Sequence, residues 1–432
     1  MSVAALIMFG LFLLWFLLGM PIGYAMLASG IVYLLISGQD VGLVASQSLS
    51  GMFNGFVLMS VPLFILAADI MNASKITDRL FAFANLLVGR LRGGLAHVNI
   101  VASIIFSGMS GSALADAAGP GKLEVDMMVK AGYPPGFAAA LSTTSAIIGP
   151  IIPPSIPMVL YGVVSNTSIG FLFMGGVIPG LLLGLVQMGI VAAIAKRRNF
   201  PTEPAPTRAE AVRAVTTTIP ALLLPAILLG GIYSGAVTPT EAAAVAATAL
   251  VLAMLWYRSL DFAGLIDVFV TSARSTAIVA ITIAGALVMN YIVAAERIPT
   301  ALGGFILSLD MPPLVFLIAV NVLFLILGAF LDTLLMLLII VPILMPAVRD
   351  LGIDPVHFGV TAVINMMIGL VTPPMGQLVF LIAGVSGIPV VAILKEVWIF
   401  LIALIAVLFV LILVPEITLW LPIQMGYEPL VR

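Results

Sequence analysis

Long runs of apolar residues, separated by short polar stretches, recur from one end of the chain to the other. An α-helix needs about 20 apolar residues to cross the hydrocarbon core of a bilayer. This pattern predicts spanning helices at 3–20, 21–37, 55–73, 135–162, 170–195, 216–234, 240–257, 275–294, 356–386 and 391–421. The more polar stretches 74–93 and 258–274 are typical of amphipathic arms that lie along the membrane surface. The expected fold is therefore an all-α polytopic membrane protein.

Two further apolar stretches, 94–120 and 313–347, differ from the simple spans because each carries small or polar residues midway. Each is also followed by a break and by another apolar run. We interpret them as re-entrant helical hairpins, which enter and leave the membrane on one side. The alternative is that each is a pair of ordinary spanning helices.

The composition supports a lipid environment and excludes several classes of enzyme. Of 432 residues, 62% are hydrophobic and 8% are charged, whereas soluble domains carry about 25% charged residues. The chain has no cysteine, so it forms no disulfide or thiolate metal site. His97 and His357 lie far apart in sequence and are too few for a zinc site or a Ser–His triad. No Walker A motif is present, which argues against an ATPase.

Basic residues set the expected orientation, because loops rich in lysine and arginine stay in the cytoplasm. The densest basic cluster includes Lys196, Arg197 and Arg198. The polar, proline-containing stretch 196–215 is expected to be a cytoplasmic linker, and counting spans back from it places the N-terminus in the periplasm. The basic residues near positions 90 and 130 then lie on the same side of the membrane only if 94–120 is a re-entrant hairpin.

The two halves of the chain resemble each other. Residues 108–162 align without gaps with 328–382, at an offset of 220, and six glycine or proline positions match. The pair Pro153–Pro154 meets Pro373–Pro374. Because the charge-derived topology places the two hairpins on opposite sides, the repeat is predicted to be inverted. Inverted repeats with helices broken at corresponding positions are typical of secondary transporters.

This repeat divides the chain into two halves joined by the linker 196–215. The first half, 1–195, is expected to contain scaffold helices 3–73, arm 74–93, hairpin 94–120, broken helix 135–162 and helix 170–195. The second half, 216–432, is expected to contain helices 216–257, arm 258–274, helix 275–294, hairpin 313–347, broken helix 356–386 and helix 391–421.

Proline and glycine interrupt the apolar run 147–162, IIGPIIPPSIPMVLYG, and interrupt 367–382 in the same register. A helix broken at membrane depth frees backbone groups that lipid cannot satisfy. Freed carbonyls and nearby hydroxyls suit a cation such as Na⁺. The alternative for each hydroxyl is a hydrogen bond to its own helical turn or to a neighbouring helix. The alternative for the glycine-rich tip is that it lets two helices pack closely together.

Charged residues near the breaks are few. A carboxylate at membrane depth costs about 2.5–3.5 kcal/mol, so Asp116 and Asp332 are expected to be functional or paired, unless Asp116 is hydrated near the hairpin exit. No arginine or lysine lies in the tips or the breaks. A carboxylate substrate would therefore be held by helix N-termini, hydroxyls, amides or Na⁺.

The stretches SGMSGSALADAAG, YPP, IGPIIPPS and GLVTPPMG closely resemble the large membrane subunit of tripartite ATP-independent periplasmic (TRAP) transporters, and the similarity runs over essentially the whole chain. The resemblance implies an elevator-type, Na⁺-driven transporter in which a domain of hairpins and broken helices slides against a scaffold. It implies two partners, a separate small four-helix membrane subunit and a periplasmic substrate-binding protein. It also implies an organic-acid cargo, such as a C4-dicarboxylate or sialic acid.

The resemblance and the breaks together give the candidate site residues. The candidate sodium ligands are Ser110, Gly111, Ser112, Ser145, Gly149, Gly328, Asp332, Gly369, Thr372 and Met375, the last through its backbone. The candidate substrate residues are Ser107, Thr143, Thr144, Asn365, Pro153 and Pro373. No transition metal and no organic cofactor are expected.

Three other functions are compatible with parts of the pattern. A stand-alone Na⁺/carboxylate symporter of the same general fold would need no partners. An intramembrane aspartyl protease could use Asp116 and Asp332, but neither lies in a Gly-x-Gly-Asp setting and the repeat would be unexplained. A channel is disfavoured because hairpins and ion-ligand oxygens at broken helices favour alternating access.

Overall fold

The computed structural model describes residues 2–54, 56–74, 76–202, 207–257 and 262–430, and all regular structure in these ranges is helical. The helices of the first half are α1 (Val3–Leu17), α2 (Ile22–Ile36), α3 (Gly42–Asn54), α4 (Ser60–Ala73), α5 (Ile76–Val88), α6 (Gly94–Ser110), α7 (Ala113–Ala118), α8 (Pro120–Lys130), α9 (Pro135–Ser145), α10 (Ile156–Ser165) and α11 (Ile169–Arg198). Those of the second half are α12 (Arg208–Tyr233), α13 (Pro239–Tyr257), α14 (Phe262–Ala295), α15 (Ile298–Ser308), α16 (Pro313–Gly328), α17 (Thr333–Leu335), α18 (Val341–Asp350), α19 (Pro355–Gly369), α20 (Gln377–Ser386), α21 (Val390–Leu413) and α22 (Glu416–Gln424).

Several of these helices are suited to a membrane. Five described helical segments are long and apolar enough to cross one: Phe56–Ala73, Ile169–Arg198, Ala263–Ala295, Thr333–Asp350 and Val390–Leu413. Shorter apolar helices lie between and beside them, and a helix satisfies most of its own backbone hydrogen bonds, as lipid demands. The predicted all-α, multi-pass membrane protein is confirmed.

Two groups of helices form the core. In one group, α4 packs on α13 and α14, while α2 packs on α1 and α14. In the other group, α9 packs on α6 and α21, and α19 packs on α16 and α21. The second group holds both chain interruptions, because α9 and α19 are the helices that end at them.

The helix bounds differ from the sequence prediction in several places. The predicted arm 258–274 and helix 275–294 are not separate, since one continuous helix covers 262–295, while 258–261 lie outside the described residues. The predicted linker 196–215 is largely helical, because α11 extends to Arg198 and α12 begins at Arg208, where Thr207 caps the helix. The predicted helix 391–421 is interrupted near Pro415. Helices α3, α8 and α15 were not predicted.

The helix bounds recur along the chain at nearly the offset seen in the sequence. Helix α9 begins at Pro135 and α19 at Pro355, 220 residues later. Helices α10 and α20 begin at Ile156 and Gln377, after the two interruptions. Corresponding stretches of the two halves therefore adopt similar secondary structure.

Candidate functional site

The first interruption, residues 149–155, is called here the first break. Helix α9 ends at Ser145 and runs into a short 3₁₀ turn, Ala146–Ile148, before regular structure stops. The peptide bond between Pro153 and Pro154 is cis. Ser155 restarts the helix, because its hydroxyl accepts a hydrogen bond from the amide of Met158 at 3.2 Å and donates one to the carbonyl of Pro150.

The second interruption, residues 370–376, is called the second break. Helix α19 ends at Gly369, and the Pro373–Pro374 peptide bond is also cis. The amide of Leu378 donates to the carbonyl of Leu370 at 3.0 Å, so the chain loops out and returns to the same point. Both breaks thus carry a Pro–Pro pair at equivalent positions, and proline lacks the amide hydrogen that a continuous helix needs.

Each hairpin region also contains a turn between two helices. The first tip is residues 111–112, where Gly111 has a φ of 60° and Ser112 accepts a hydrogen bond from the amide of Ala115 at 3.3 Å. The second tip is residues 329–332, where Asp332 accepts a hydrogen bond from the amide of Leu334 at 2.7 Å. A side-chain oxygen therefore caps the helix that follows each tip.

In each half, the tip or the helix before it touches the break or the helix that ends at the break. The amide of Ile156 donates to the carbonyl of Gly111 at 3.3 Å. A Cβ atom added at Gly111 would lie 2.5 Å from the carbonyl oxygen of Pro154. In the second half, a Cβ atom added at Gly369 would lie 2.8 Å from the Cα atom of Gly328. Glycine is needed at these points because the two backbones are in direct contact.

The tips and breaks of both halves line one cavity of about 360 Å³. Its far wall belongs to the other helix group, through α4 and α14. The lining consists of Ile65, Ala68, Asp69, Ser110, Gly111, Ser112, Ala113, Leu114, Ala115, Pro150, Ile156, Pro157, Ser275, Val279, Asp332, Thr333, Leu334, Met367, Leu370 and Gln377. This one cavity therefore lies between the tips and breaks of both halves on one side and the α4–α14 wall on the other.

The cavity is mostly apolar, with a few polar groups facing it. Its charged lining residues are both acidic, Asp69 on α4 and Asp332 at the second tip, and no lysine or arginine is among its lining. One carboxylate oxygen of Asp69 is buried without a hydrogen-bond partner. Helices α10 and α20 begin at this cavity, with Ile156 and Gln377, and helix N-termini carry partial positive charge.

Comparison with known proteins identifies the family. The family model for the tripartite ATP-independent periplasmic transporter, DctM component, matches residues 9–417. The chain belongs to this family. It is 43% identical to the sialic acid TRAP transporter large permease protein SiaM of Vibrio cholerae, over 95% of this chain and 96% of that protein. It is 37% identical to the 2,3-diketo-L-gulonate TRAP transporter large permease protein YiaN of Escherichia coli, over 98% of this chain and 99% of that protein.

Two further similarities agree with this identification. The TRAP large permease is 37% identical to the C4-dicarboxylate large permease protein DctM of Pseudomonas aeruginosa, over 86% of this chain and 87% of that protein. Its fold resembles the crystal structure of the Alcanivorax borkumensis YdaH transporter, with a TM-score of 0.65 and 16% sequence identity, covering 91% of this chain and 90% of that one. The chain is therefore a transporter permease and not an enzyme, which excludes the protease alternative.

The TRAP large permease brings part of the predicted sodium set to the cavity. Ser110, Gly111, Ser112 and Asp332 line it. Six others do not: Ser145, Gly149, Gly328, Gly369, Thr372 and Met375. The hydroxyl of Ser110 is buried without a hydrogen-bond partner, so it is available to a ligand. The cavity members therefore come from the two tips and from the last residue of α6.

Two of the remaining predicted ligands use their hydroxyls in hydrogen bonds within the protein. The hydroxyl of Thr372 donates to the carbonyl of Ile368 in its own turn, at 2.8 Å. The hydroxyl of Ser145 donates to the side-chain oxygen of Asn99, at 2.7 Å. Met375, whose predicted role concerns its backbone, has a side chain that is 56% exposed.

None of the predicted substrate residues lines the cavity. The hydroxyls of Ser107, Thr143 and Thr144 donate to carbonyls of their own helices, at 2.5, 2.7 and 3.0 Å. Asn365 donates from its side-chain nitrogen to the backbone and side-chain oxygens of Asn321, at 2.7 and 2.9 Å. Pro153 and Pro373 lie within the breaks, in the cis peptide bonds. Hydroxyls on continuous helices thus follow the alternative noted above, in which they bond to their own turn.

A buried polar network holds the first half together and was not predicted. Asn99 of α6 donates to a carboxylate oxygen of Glu124 on α8 and to the hydroxyl of Ser142 on α9, both at 2.6 Å. Ser145 completes the network through its bond to the same asparagine. Asn321 and Asn365 make the corresponding link between α16 and α19.

Several cavity-lining residues were not predicted from the sequence, most of them on the α4–α14 wall. Asp69 lies within the predicted span 55–73, and an ionisable residue inside an apolar span is itself a signal of function. Gln377 directly follows the second break. Ser275 and Val279 carry no comparable signal, because only the packing of α14 brings them to the cavity.

Proposed function

We propose that this TRAP large permease carries an organic acid together with Na⁺ through the cavity between its tips, its breaks and the α4–α14 wall. The observation that supports this most is the convergence of both tips and both breaks on one space. Relatives are named for sialic acid, C4-dicarboxylate and 2,3-diketo-L-gulonate transport, and a carboxylate of this kind is the proposed cargo.

The charge of the lining supports the pairing of cargo and cation. An anionic substrate finds two carboxylates and no basic side chain in this cavity. The N-termini of α10 and α20 supply partial positive charge toward its carboxylate, as half-helices do in other transporters. Bound Na⁺ supplies the rest, because it offsets the negative charge of the acidic side chains in a mostly apolar space.

The proposed sodium ligands remain those predicted from the sequence, but the structural support differs from one residue to another. Ser110, Ser112 and Asp332 are supported by their position in the cavity lining. Gly328 and Gly369 are supported only by their backbone contact beside the second tip. Ser145, Gly149, Thr372 and Met375 would act through freed carbonyls at the ends of the breaks. The predicted substrate residues stay as proposals that would require local rearrangement.

We further propose that transport proceeds by an elevator movement. The helix group that holds both breaks, with re-entrant hairpins at 94–120 and 313–347, would slide against the scaffold group that includes α4 and α14. Two inverted halves, 1–195 and 216–432, joined by 196–215, would provide the two symmetric end states. The recurring helix bounds support the repeat, and the basic linker supports a cytoplasmic 196–215 with a periplasmic N-terminus.

The proposed partners are a small four-helix membrane subunit and a periplasmic substrate-binding protein. Membership of a tripartite family supports them. A stand-alone symporter of the same fold is the alternative, and transport by the large permease alone would favour it.

The test is uptake into proteoliposomes that contain the large permease, its small subunit and its binding protein. Labelled sialic acid, succinate and 2,3-diketo-L-gulonate are offered under an inward Na⁺ gradient and, in parallel, under a K⁺ gradient. We expect one carboxylate to accumulate only with Na⁺, and Ser112→Ala to weaken its uptake. Equal uptake with K⁺, together with no effect of Ser112→Ala, would refute the sodium proposal.

A further inference from the structure

A second cavity lies at the boundary of the apolar region, where α11 ends beside the first turns of α21. Both helices are long and apolar enough to span a membrane, and they pack against each other. The cavity has a volume of about 260 Å³. Its lining consists of Ile194, Arg197, Arg198, Lys395, Glu396 and Ile399. It shares no lining residue with the cavity between the tips and the breaks.

An internal ion pair neutralises one basic group and the only acidic group of this lining. Both guanidinium nitrogens of Arg198 donate to the carboxylate of Glu396, at 2.9 and 3.0 Å. The guanidinium carbon of Arg198 also lies 5.8 Å from the ring centre of Phe137, which further fixes the side chain. Such a bidentate pair has a defined geometry. Both of its residues belong to the cavity lining.

Two positive charges remain around the space. Within the described residues, Arg197 and Lys395 make no ion pair or side-chain hydrogen bond. Three basic groups and one carboxylate leave a net charge of +2 at the lining. An anion held between Arg197 and Lys395 would meet two donors from two helices.

The hydrophobic part of the lining distinguishes a lipid from a free anion. Ile194 and Ile399 are the apolar residues of the lining. On α21, Ile399 and Ile402 are 48% and 64% exposed, so this apolar wall continues along the outer surface of the helix. Trp398, which is 51% exposed, lies at the same level, and tryptophan concentrates at membrane–water interfaces. A phosphate ion or an acidic peptide would use the basic groups without needing these apolar surfaces.

We propose that this cavity binds the headgroup of an anionic phospholipid. Its phosphate lies between Arg197 and Lys395, and an acyl chain runs over Ile399 and Ile402. Basic cavities between helices at the membrane surface bind anionic headgroups in this manner. Each basic residue near such a surface contributes about fivefold in apparent affinity.

The test is a thermal-shift titration of the purified full-length chain with phosphatidylglycerol, with phosphatidylcholine and with inorganic phosphate. We expect phosphatidylglycerol alone to raise the melting temperature. Arg197→Ala and Lys395→Ala should each raise the half-saturating lipid concentration about fivefold. Lys196→Ala is the matched control, because Lys196 lies in the same last turn of α11 but outside the lining. It should raise the half-saturating lipid concentration less than either of the two lining variants does.

Several results would overturn this proposal. Equal shifts in melting temperature with phosphatidylglycerol and phosphatidylcholine would show that the cavity does not select for headgroup charge. An equal effect of inorganic phosphate would show an anion site without a lipid. Loss of the lipid effect when the small subunit is added would show that the surface is a protein interface. If an alanine variant does not fold, Arg197→Lys and Lys395→Arg replace it, and they should retain the preference for phosphatidylglycerol.

Discussion

Gly111 connects the first tip to the first break, and replacing it by alanine tests whether that contact matters. Its φ of 60° costs an alanine about 1–2 kcal/mol. The new Cβ atom would also lie 2.5 Å from the carbonyl oxygen of Pro154 and 3.1 Å from its carbonyl carbon. These are backbone atoms, so relief requires the tip to move, and overpacking of this kind costs about 1–3 kcal/mol. The expected loss in unfolding free energy for Gly111→Ala is therefore about 2–5 kcal/mol.

Gly352→Ala is the matched control for the backbone conformation. Gly352 has a φ of 69°, but a Cβ atom added there has no neighbour within 4 Å. It should lose only the conformational term of about 1–2 kcal/mol. Both variants are compared by denaturant unfolding in detergent and by uptake in proteoliposomes. We expect Gly111→Ala to be the less stable and to transport less. Equal stability and equal uptake of the two variants would refute the proposed contact between tip and break.

Three further substitutions test other contacts. Asn99→Ala should lose about 3 kcal/mol or more of unfolding free energy, because it leaves Glu124 and two hydroxyls without their buried partner; a loss below about 1 kcal/mol would contradict this. Asp332→Asn should keep its stability, since asparagine caps helices as well as aspartate does, yet raise the Na⁺ concentration needed for half-maximal uptake; an unchanged Na⁺ dependence would remove Asp332 from the site. Tyr161→Phe should lose about 1 kcal/mol of unfolding free energy, because it removes the hydrogen bond to the carbonyl of Pro355 at 2.7 Å; equal stability of the variant and the unchanged protein in denaturant would contradict this.

The breaks were predictable from the sequence because their cause is local. Proline lacks an amide hydrogen, so the consecutive prolines Pro153–Pro154 and Pro373–Pro374 disfavour a continuous helix through these positions. The first tip was predictable for a similar reason, since the glycine and serine residues at 110–112 favour a turn followed by a capped helix. Spans with long apolar runs were predictable from lipid thickness alone.

The remaining features depend on packing between distant segments. Asp69 reaches the cavity because α4 packs beside α14 and the first tip, and no local pattern specifies that neighbour. The hydroxyls of Thr143 and Thr144 turn to their own helix because α9 is continuous there, although the residues directly precede a break. Helix α14 runs unbroken through the polar stretch predicted as an arm, because nothing in 262–274 stops a helix.

Protection of the cavity by its ligands tests the central proposal most directly. The chain has no cysteine, so Ala115→Cys creates a single thiol in the cavity lining. Ser37→Cys, at the exposed end of α2 and outside that lining, serves as the control. Labelling by a water-soluble maleimide is followed with and without Na⁺ and the organic acid identified by the uptake screen. At ten times the dissociation constant, we expect labelling of Ala115→Cys to slow about tenfold, and that of Ser37→Cys to remain unchanged. Labelling of Ala115→Cys that is indifferent to both ligands would contradict the assignment of this cavity.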